Sequence, residues 1–294
     1  MKFTNVAELI ALTKSEGKKI SEIMIEAEME QHNRTREEII AQMERSLEVM
    51  QAAIEKGINE DVKSRSGLSG GDGKKLTQYL AEGNYLSGAT ILEAVSKSVA
   101  TSEVNAAMGT IVATPTAGSV GILPGTIFAT ANKLNSSREE MVNALFTAGA
   151  IGLVIANNAF ISGAAGGCQA EVGSAAAMAA AAIVEMAGGT PEQSANALSI
   201  ALKNMLGLTC DPVAGLVEVP CVKRNALGAA NAMIAADMAL AGIGSIIPAD
   251  EVIDTMYRVG RIMPVTLKET ALGGLAATAT AKRLEKIISG ESLT

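Results

Sequence analysis

A chain of 294 residues with 48% apolar content can build a sizeable core, in one large domain or two smaller ones, yet aromatics make up only 2% and Trp is absent. That core has to come from Ala, Val, Ile, Leu and 14 Met, which favours close helix packing over strands, since strands draw on β-branched and aromatic residues. A net charge of −7 excludes the basic footprint of a nucleic-acid binder, and no polybasic run points to anionic lipid.

The opening "MKFTNVAELIALTKSEGKK" is broken by charge too early for a signal peptide, and three cysteines make no disulfide framework. A cytoplasmic chain is expected. Residues 1–63 hold 22 of the 55 charged side chains, so one face of this region meets solvent. Its apolar residues recur at helical spacing (Ile23, Met24 and Ala27, then Ile39, Met43, Leu47, Met50 and Ile54). Thr35 and Glu38 form a capping box before the second run. An amphipathic helical N-terminal region is predicted, with His32, the single histidine, on a solvated helix edge. Residues 64–84 read as a Gly/Ser-rich connection. Its "SRSGLSGGDGK" resembles a phosphate loop only in composition. No Gly lies five residues before Gly73, and Lys75 stands where Ser or Thr should follow Lys74, so no nucleotide site is expected.

Residues 85–294 are Ala/Gly-rich and are read as the functional core, continuous with the first 84 as one domain. Capping boxes at Thr90–Glu93, Ser137–Glu140 and Thr190–Gln193, the last with Pro191 at the first helical position, mark helix starts. Helices are predicted over about 91–108, 138–156, 171–187, 191–206, 225–242, 249–262 and 276–288. Between them run the loops "ATPTAGSVGILPG", "NNAFISGAAGG" and "GLTCDPVAGLVEVPC". Two uncharged stretches raise the question of a membrane span. In 141–170 the apolar run 144–156 covers only 13 residues before Asn157 and Asn158, whereas a span needs roughly 20. The other, 104–132, contains Pro115 and Pro124. Both read as buried core, and the fold class is all-α.

Cys168, Cys210 and Cys221 each sit at a loop or helix edge beside Gly or Pro. Free cysteines are often small buried hydrophobes, but packing cysteines belong inside helices such as the alanine run 175–182. Structural zinc calls for four ligands with close pairs two to four residues apart. Here the separations are 42 and 11 and no fourth cysteine exists. Three thiolates suit an iron–sulfur cluster with one iron left open, since such clusters are normally held by four cysteines.

The segments "GTIVATPTAGSVGILPG", "ANNAFISGAAGGCQAEVGSA", "LKNMLGLTCDPVAGLVEVPCVKRNA" and "ANAMIAADMALAG" closely resemble the α-chain of the iron–sulfur-dependent L-serine dehydratases. The resemblance runs from about residue 2 to 280 and includes "ISEIMIEAEME" and "LSGGDGKKL". It implies a 4Fe–4S cluster held by Cys168, Cys210 and Cys221, L-serine as substrate, pyruvate and ammonia as products, and a separate β-subunit. No pyridoxal phosphate is implied, and the core offers few Schiff-base lysines: Lys97, Lys133, Lys203 and Lys223. The chain departs from the family pattern at Ala89 and Ala279, where Pro is commoner, and at Ala271, where Gly is.

The catalytic base is unassigned in this chain, and the resemblance implies that the partner subunit supplies it. Substrate-binding candidates are Thr114, Thr116 and Ser119 of "TPTAGS", whose hydroxyls and backbone N–H groups can hold a carboxylate. Asn157, Asn158, Ser162, Lys223 and Arg224 are further candidates, the last two also as groups that tune the cluster. Gln169 and Glu171 flank Cys168 without an assigned step. Three alternatives stay open: desulfidation of cysteine by a similar cluster, a helical structural-zinc or redox module, and an inert scaffold.

Overall fold

Residues 2–290 are described here from a computed structural model. Helices α1 (Val6–Glu16), α2 (Ile20–His32) and α3 (Arg36–Asn59) form the amphipathic N-terminal region. Then come α4 (Asp72–Glu82), α5 (Ala89–Ala106), α6 (Ile122–Leu134), α7 (Arg138–Asn158), the single turn α8 (Gly163–Gly166) and α9 (Ser174–Met186). The chain continues through α10 (Pro191–Lys203), α11 (Cys221–Leu240), α12 (Ala249–Ile262) and α13 (Ala279–Ser289). Among the described residues no strand forms, and the one β-type pairing is an isolated parallel bridge between Cys210 and Lys268. The all-α expectation holds.

Helix α9 is the centre of the molecule. Every residue from Ser174 to Glu185 is buried, and α6, α7, α10 and α11 pack around it. Seven of its thirteen residues are alanine, so neighbouring backbones come close without large side chains between them. The same economy governs α5: a Cβ added at Gly57 or Gly73 would stand 2.4 Å from the Ala100 carbonyl oxygen or 2.6 Å from its Cα. Only glycine fits there. One continuous apolar cluster runs from Phe3 and Val6 through α9 to Met256 of α12. Helix α7 is apolar and long enough to cross a membrane by length and composition, and 61% of its most apolar 18-residue window is buried inside the fold.

The capping boxes at Thr35, Ser137 and Thr190 form as predicted. The one at Thr90 does not. Helix α5 begins two residues earlier, with Gly88 at its N-cap, and the Glu93 carboxylate takes Lys97 and Asn132 instead. Two helices lie where loops are expected. Helix α4 occupies 72–82 within the Gly/Ser-rich connection. Helix α6 starts at Ile122 and accommodates Pro124 in its first turn, where a missing N–H costs no helical hydrogen bond. Ahead of α9, a π-helical turn over Gln169–Gly173 replaces the predicted α-helical start at 171.

Helices α2 and α4 have no side-chain cap of their own, because Lys19 and Gly71 stand at their N-caps. Their first N–H groups would be orphaned. Carboxylates from the core satisfy them. Glu185 accepts from Ile20 N and Ser21 N at 2.8 and 3.3 Å, and also takes the Thr147 hydroxyl at 2.7 Å. Glu103, fully buried, accepts from Asp72 N and Gly73 N at 2.8 and 3.0 Å. Asp250 adds two such bonds to the first N–H groups of α1. The positive end of each helix favours the negative charge.

Replacing Glu103 by Gln leaves one of the two N–H groups facing an amide NH2. Glu103→Gln is expected to destabilise the chain by about 1–3 kcal/mol, read as a lower midpoint in equilibrium urea unfolding. Ala89 and Ala279 are both first helical residues, preceded by Gly88 (φ 84°, ψ 152°) and Thr278 (φ −68°, ψ 152°), and in both the ψ near 150° is the one that a following proline requires. Ala89→Pro is therefore expected to raise stability by about 0.4–1 kcal/mol, measured as a higher thermal midpoint.

A candidate three-thiol site at the head of the central helix

Three separate segments bring the cysteines together. Cys168 ends the loop after α8 and opens the π-turn leading into α9. Cys210 lies in the loop between α10 and α11, and Cys221 is the first residue of α11. All three are buried. Gln169 anchors the first segment: its side chain accepts from Gly207 N at 2.9 Å and donates to Gly166 O and Met256 O, both at 3.0 Å. With its oxygen and both N–H bonds engaged, Gln169 is a structural tie, not a substrate contact. The Cys210 segment is held by backbone pairing, Cys210 N to Leu267 O at 2.9 Å and Glu269 N to Cys210 O at 2.7 Å.

The Cys168 and Cys210 thiols hydrogen-bond to each other. This bond and the Arg224 guanidinium hold Cys168 below the ordinary thiol range against burial, and the same bond with burial pushes Cys210 up. Of the two thiols, Cys168 is thus the more acidic and Cys210 the less. Burial, with the negative charges of Cys168 and Glu171, pushes Cys221 up to about 12. Arg224 is the cation of the site. It donates to Thr209 O, pairs with Asp211 at 2.8 Å and reaches the Cys168 sulfur. Burial works against its charge, and the Cys168 thiolate and Asp211 outweigh it.

Glu171 joins the other loops to this group. Its carboxylate accepts the Thr116 hydroxyl at 2.8 Å and the Gly163 N–H, and lies 3.9 Å from Cys210 Sγ. Burial raises its proton affinity, the Thr116 bond opposes this, and the Glu269 charge adds to it. Two glycines make room for it. A Cβ at Gly163 would stand 2.6 Å from Cys210 Sγ and 2.9 Å from Glu171 Oε2, and one at Gly118 would stand 2.9 Å from the same oxygen.

Of the substrate-binding candidates, Thr116 touches Glu171 directly, and Ser119 closes the same loop by donating to Thr114 O at 3.1 Å. The Thr114 hydroxyl is buried without a hydrogen-bond partner among the described residues. Ser162 precedes Gly163 as the N-cap of α8, and Arg224 sits among the thiols. Asn158 instead ties the end of α7 to Thr4 O and Val154 O, while Asn157 is exposed beside it. Lys223 is exposed and paired with Asp72 of α4. Lys97 and Lys203 are engaged by Glu93 and Ser245. His32 is partly exposed and 3.3 Å from Glu28.

Asp211 and Glu269 are absent from the candidates read from the sequence. Asp211 adjoins Cys210 and could have been found by that adjacency. Glu269 carries no local signal: only the pairing of its segment with Cys210 brings it near, and its charge raises Glu171, Cys210 and Cys221. Among the described residues no three Cys, His, Asp or Glu side chains lie close enough to hold a single metal ion.

Comparison with known proteins gives this arrangement its context. The family described as serine dehydratase alpha chain matches residues 15–276. A Bacillus subtilis (strain 168) protein named probable L-serine dehydratase, alpha chain, is 67% identical over 291 residues, covering 99% of this chain and 97% of the relative. The L-serine dehydratase, alpha chain, of Peptoniphilus asaccharolyticus is 44% identical over 279 residues, 95% of this chain and 96% of its own. L-serine dehydratase 1 of Escherichia coli (strain K12) is 37% identical over 285 residues, which are 93% of this chain but only 61% of that longer protein. With a family match across most of its length, and relatives aligned nearly end to end, this chain belongs to the serine dehydratase alpha chain family.

Proposed function

We propose that this chain is the α-chain of an L-serine dehydratase, a lyase that converts L-serine to pyruvate and ammonia. The observation that carries the reading is the gathering of Cys168, Cys210 and Cys221, from three distant segments, around one guanidinium in a member of this family. The donor set fits a 4Fe–4S cluster: three thiols for three irons, leaving one iron without a cysteine. Separations of 42 and 11 residues with no fourth cysteine are unlike the close ligand pairs of structural zinc. The space kept free at Gly163 and Gly118 is a cradle that any side chain would fill. When bound, the cluster supplies a Lewis acid that shares the charge of the departing hydroxyl.

The chain's own residues hold and enclose. Arg224, fixed by Asp211 and Thr209 O, donates to the Cys168 sulfur and offsets negative charge there. Glu171 holds the Thr116 loop and the start of α8 against the Cys210 loop, so that the walls of the site keep one spacing. In the elimination, the α-proton passes to a base and the β-hydroxyl leaves as water. The resulting aminoacrylate tautomerises to an imine, and water splits it into pyruvate and ammonia. No pyridoxal phosphate enters this scheme. The base is assigned to a separate β-subunit. This is supported by the naming of the relatives as alpha chains and by the greater length of the L-serine dehydratases that match over only 59–61% of their own chain. A cytoplasmic setting suits three unpaired thiols, which oxidising compartments tend to oxidise.

Cys210→Ser is the direct test. In the anaerobically reconstituted complex it is expected to lower bound iron and sulfide per chain and to cut pyruvate release from L-serine by about 100-fold or more. One zinc and no sulfide in the wild-type protein, or Cys210→Ser with full iron and activity, would overturn the proposal. Faster pyruvate release from L-cysteine than from L-serine would move it to desulfidation. The α-chain alone, loaded with iron and sulfide, is expected to release almost no pyruvate until the β-subunit is added.

A further inference from the structure

Residues 264–278 form a strap over the Cys210 loop. Its backbone pairs with Cys210 on both sides, through Leu267 O and Glu269 N. Its far end is latched by Asp211, whose second oxygen accepts from Leu275 N at 2.7 Å. Within the strap, Glu269 and Ala271 have φ of +60° and +55°, the left-handed region that residues with a Cβ disfavour. Such backbone persists where surrounding contacts over-determine it, and it collects at functional sites. Here both ends of the strap are tied down, and the Glu269 carboxylate is the group delivered.

The other carboxylates around the thiols are engaged. Glu171 holds Thr116 and Gly163 N. Asp211 holds Arg224 and Leu275 N, and Glu218 holds Ser66 and Ser69. Glu269 is half-buried, and its carboxylate makes no hydrogen bond or ion pair among the described residues. Its charge nevertheless reaches Glu171, Cys210 and Cys221. A half-buried carboxylate with free lone pairs beside the Cys210 loop matches an ammonium, which offers three donors and no acceptor.

We infer that Glu269 is a substrate-binding residue that takes the α-ammonium of the amino-acid substrate through a charge-assisted hydrogen bond. The inference rests on L-serine being the substrate, and it names the feature by which the site tells an amino acid from a hydroxy acid.

The test compares L-serine with L-glycerate, which carries a hydroxyl in place of the ammonium. Both are measured on the reconstituted complex of the α-chain with its β-subunit. Glu269→Gln keeps the side-chain size and the backbone pairing, so iron per chain is expected to hold. The KM for L-serine is expected to rise about 10- to 100-fold with a smaller change in kcat. The inhibition constant of L-glycerate is expected to move by less than about threefold. An unchanged KM for serine overturns the inference. So does an equal weakening of serine and glycerate, the result if Glu269 pairs with a partner's lysine or merely supports the fold. If Glu269→Gln loses iron, Glu269→Asp is measured in the same way, with the same selective weakening of serine expected and an equal effect on both ligands overturning it. A wild-type complex that releases no pyruvate from serine would instead refute the underlying reaction, which separates the two failures.

Discussion

Carboxylates that leave one segment to close the backbone of another hold this fold together. A helix start exposes N–H groups that must find acceptors, and helices α2 and α4 carry no residue at their N-caps able to serve. Glu185 and Glu103 come from the core to do so, across 165 and 31 positions of sequence. A buried carboxylate without a cation is costly, but two backbone donors at the positive end of a helix compensate it. Removing either side leaves the other unpaired in a low dielectric, so both sides depend on correct docking. The N-terminal helices are therefore integral to the core.

The loops around the thiols are built by the same device on a smaller scale. Glu171 accepts from Gly163 N at the start of α8, and Asp211 accepts from Leu275 N in the 3-10 turn Gly274–Ala277. Neither turn has a side-chain cap of its own. In each case the same carboxylate also reaches a side chain of another segment, Thr116 for Glu171 and Arg224 for Asp211. A single carboxylate thereby sets both the backbone and the side-chain geometry of one wall. The alanine-lined α9 is what makes this possible. Its small side chains let α6, α7, α10 and α11 approach closely enough for loops at one end of the bundle to share acceptors.

What could be read from the sequence was what is local. The boxes at Thr35, Ser137 and Thr190 each span four consecutive residues, and all three start helices as predicted. The Thr90 box failed because the competing start at Gly88 is also local and lies two residues earlier. Helices α4 and α6 were hidden for different reasons. The cap of α4 is Glu103, a residue that its own segment does not contain, and Pro124 in α6 reads as a helix breaker unless the start at Ile122 is known. The cysteines were legible as a set because their placement beside Gly and Pro is unusual for packing thiols. Gln169 was legible only as a neighbour. Its saturation by three backbone groups requires α12 to be in place.

The charge distribution at the site follows from the strap. Without residues 264–278, the thiols would have only Glu171 and the Arg224–Asp211 pair as charged neighbours. Pairing Cys210 with Leu267 and Glu269 adds a carboxylate whose influence extends to Glu171 and to two of the thiols. Arg224 alone cannot balance it, because Asp211 and Cys168 already share that guanidinium. Glu269 thus brings a carboxylate without a cation of its own to partly dry surroundings, where Coulomb interactions are far stronger than in water. Iron ions and an ammonium group are the cations that the proposed chemistry brings to such a pocket. In the proposed reading, a zwitterionic amino acid would place its ammonium toward the strap and its carboxylate away from it, so that an anionic strap would orient a substrate whose two ends carry opposite charge.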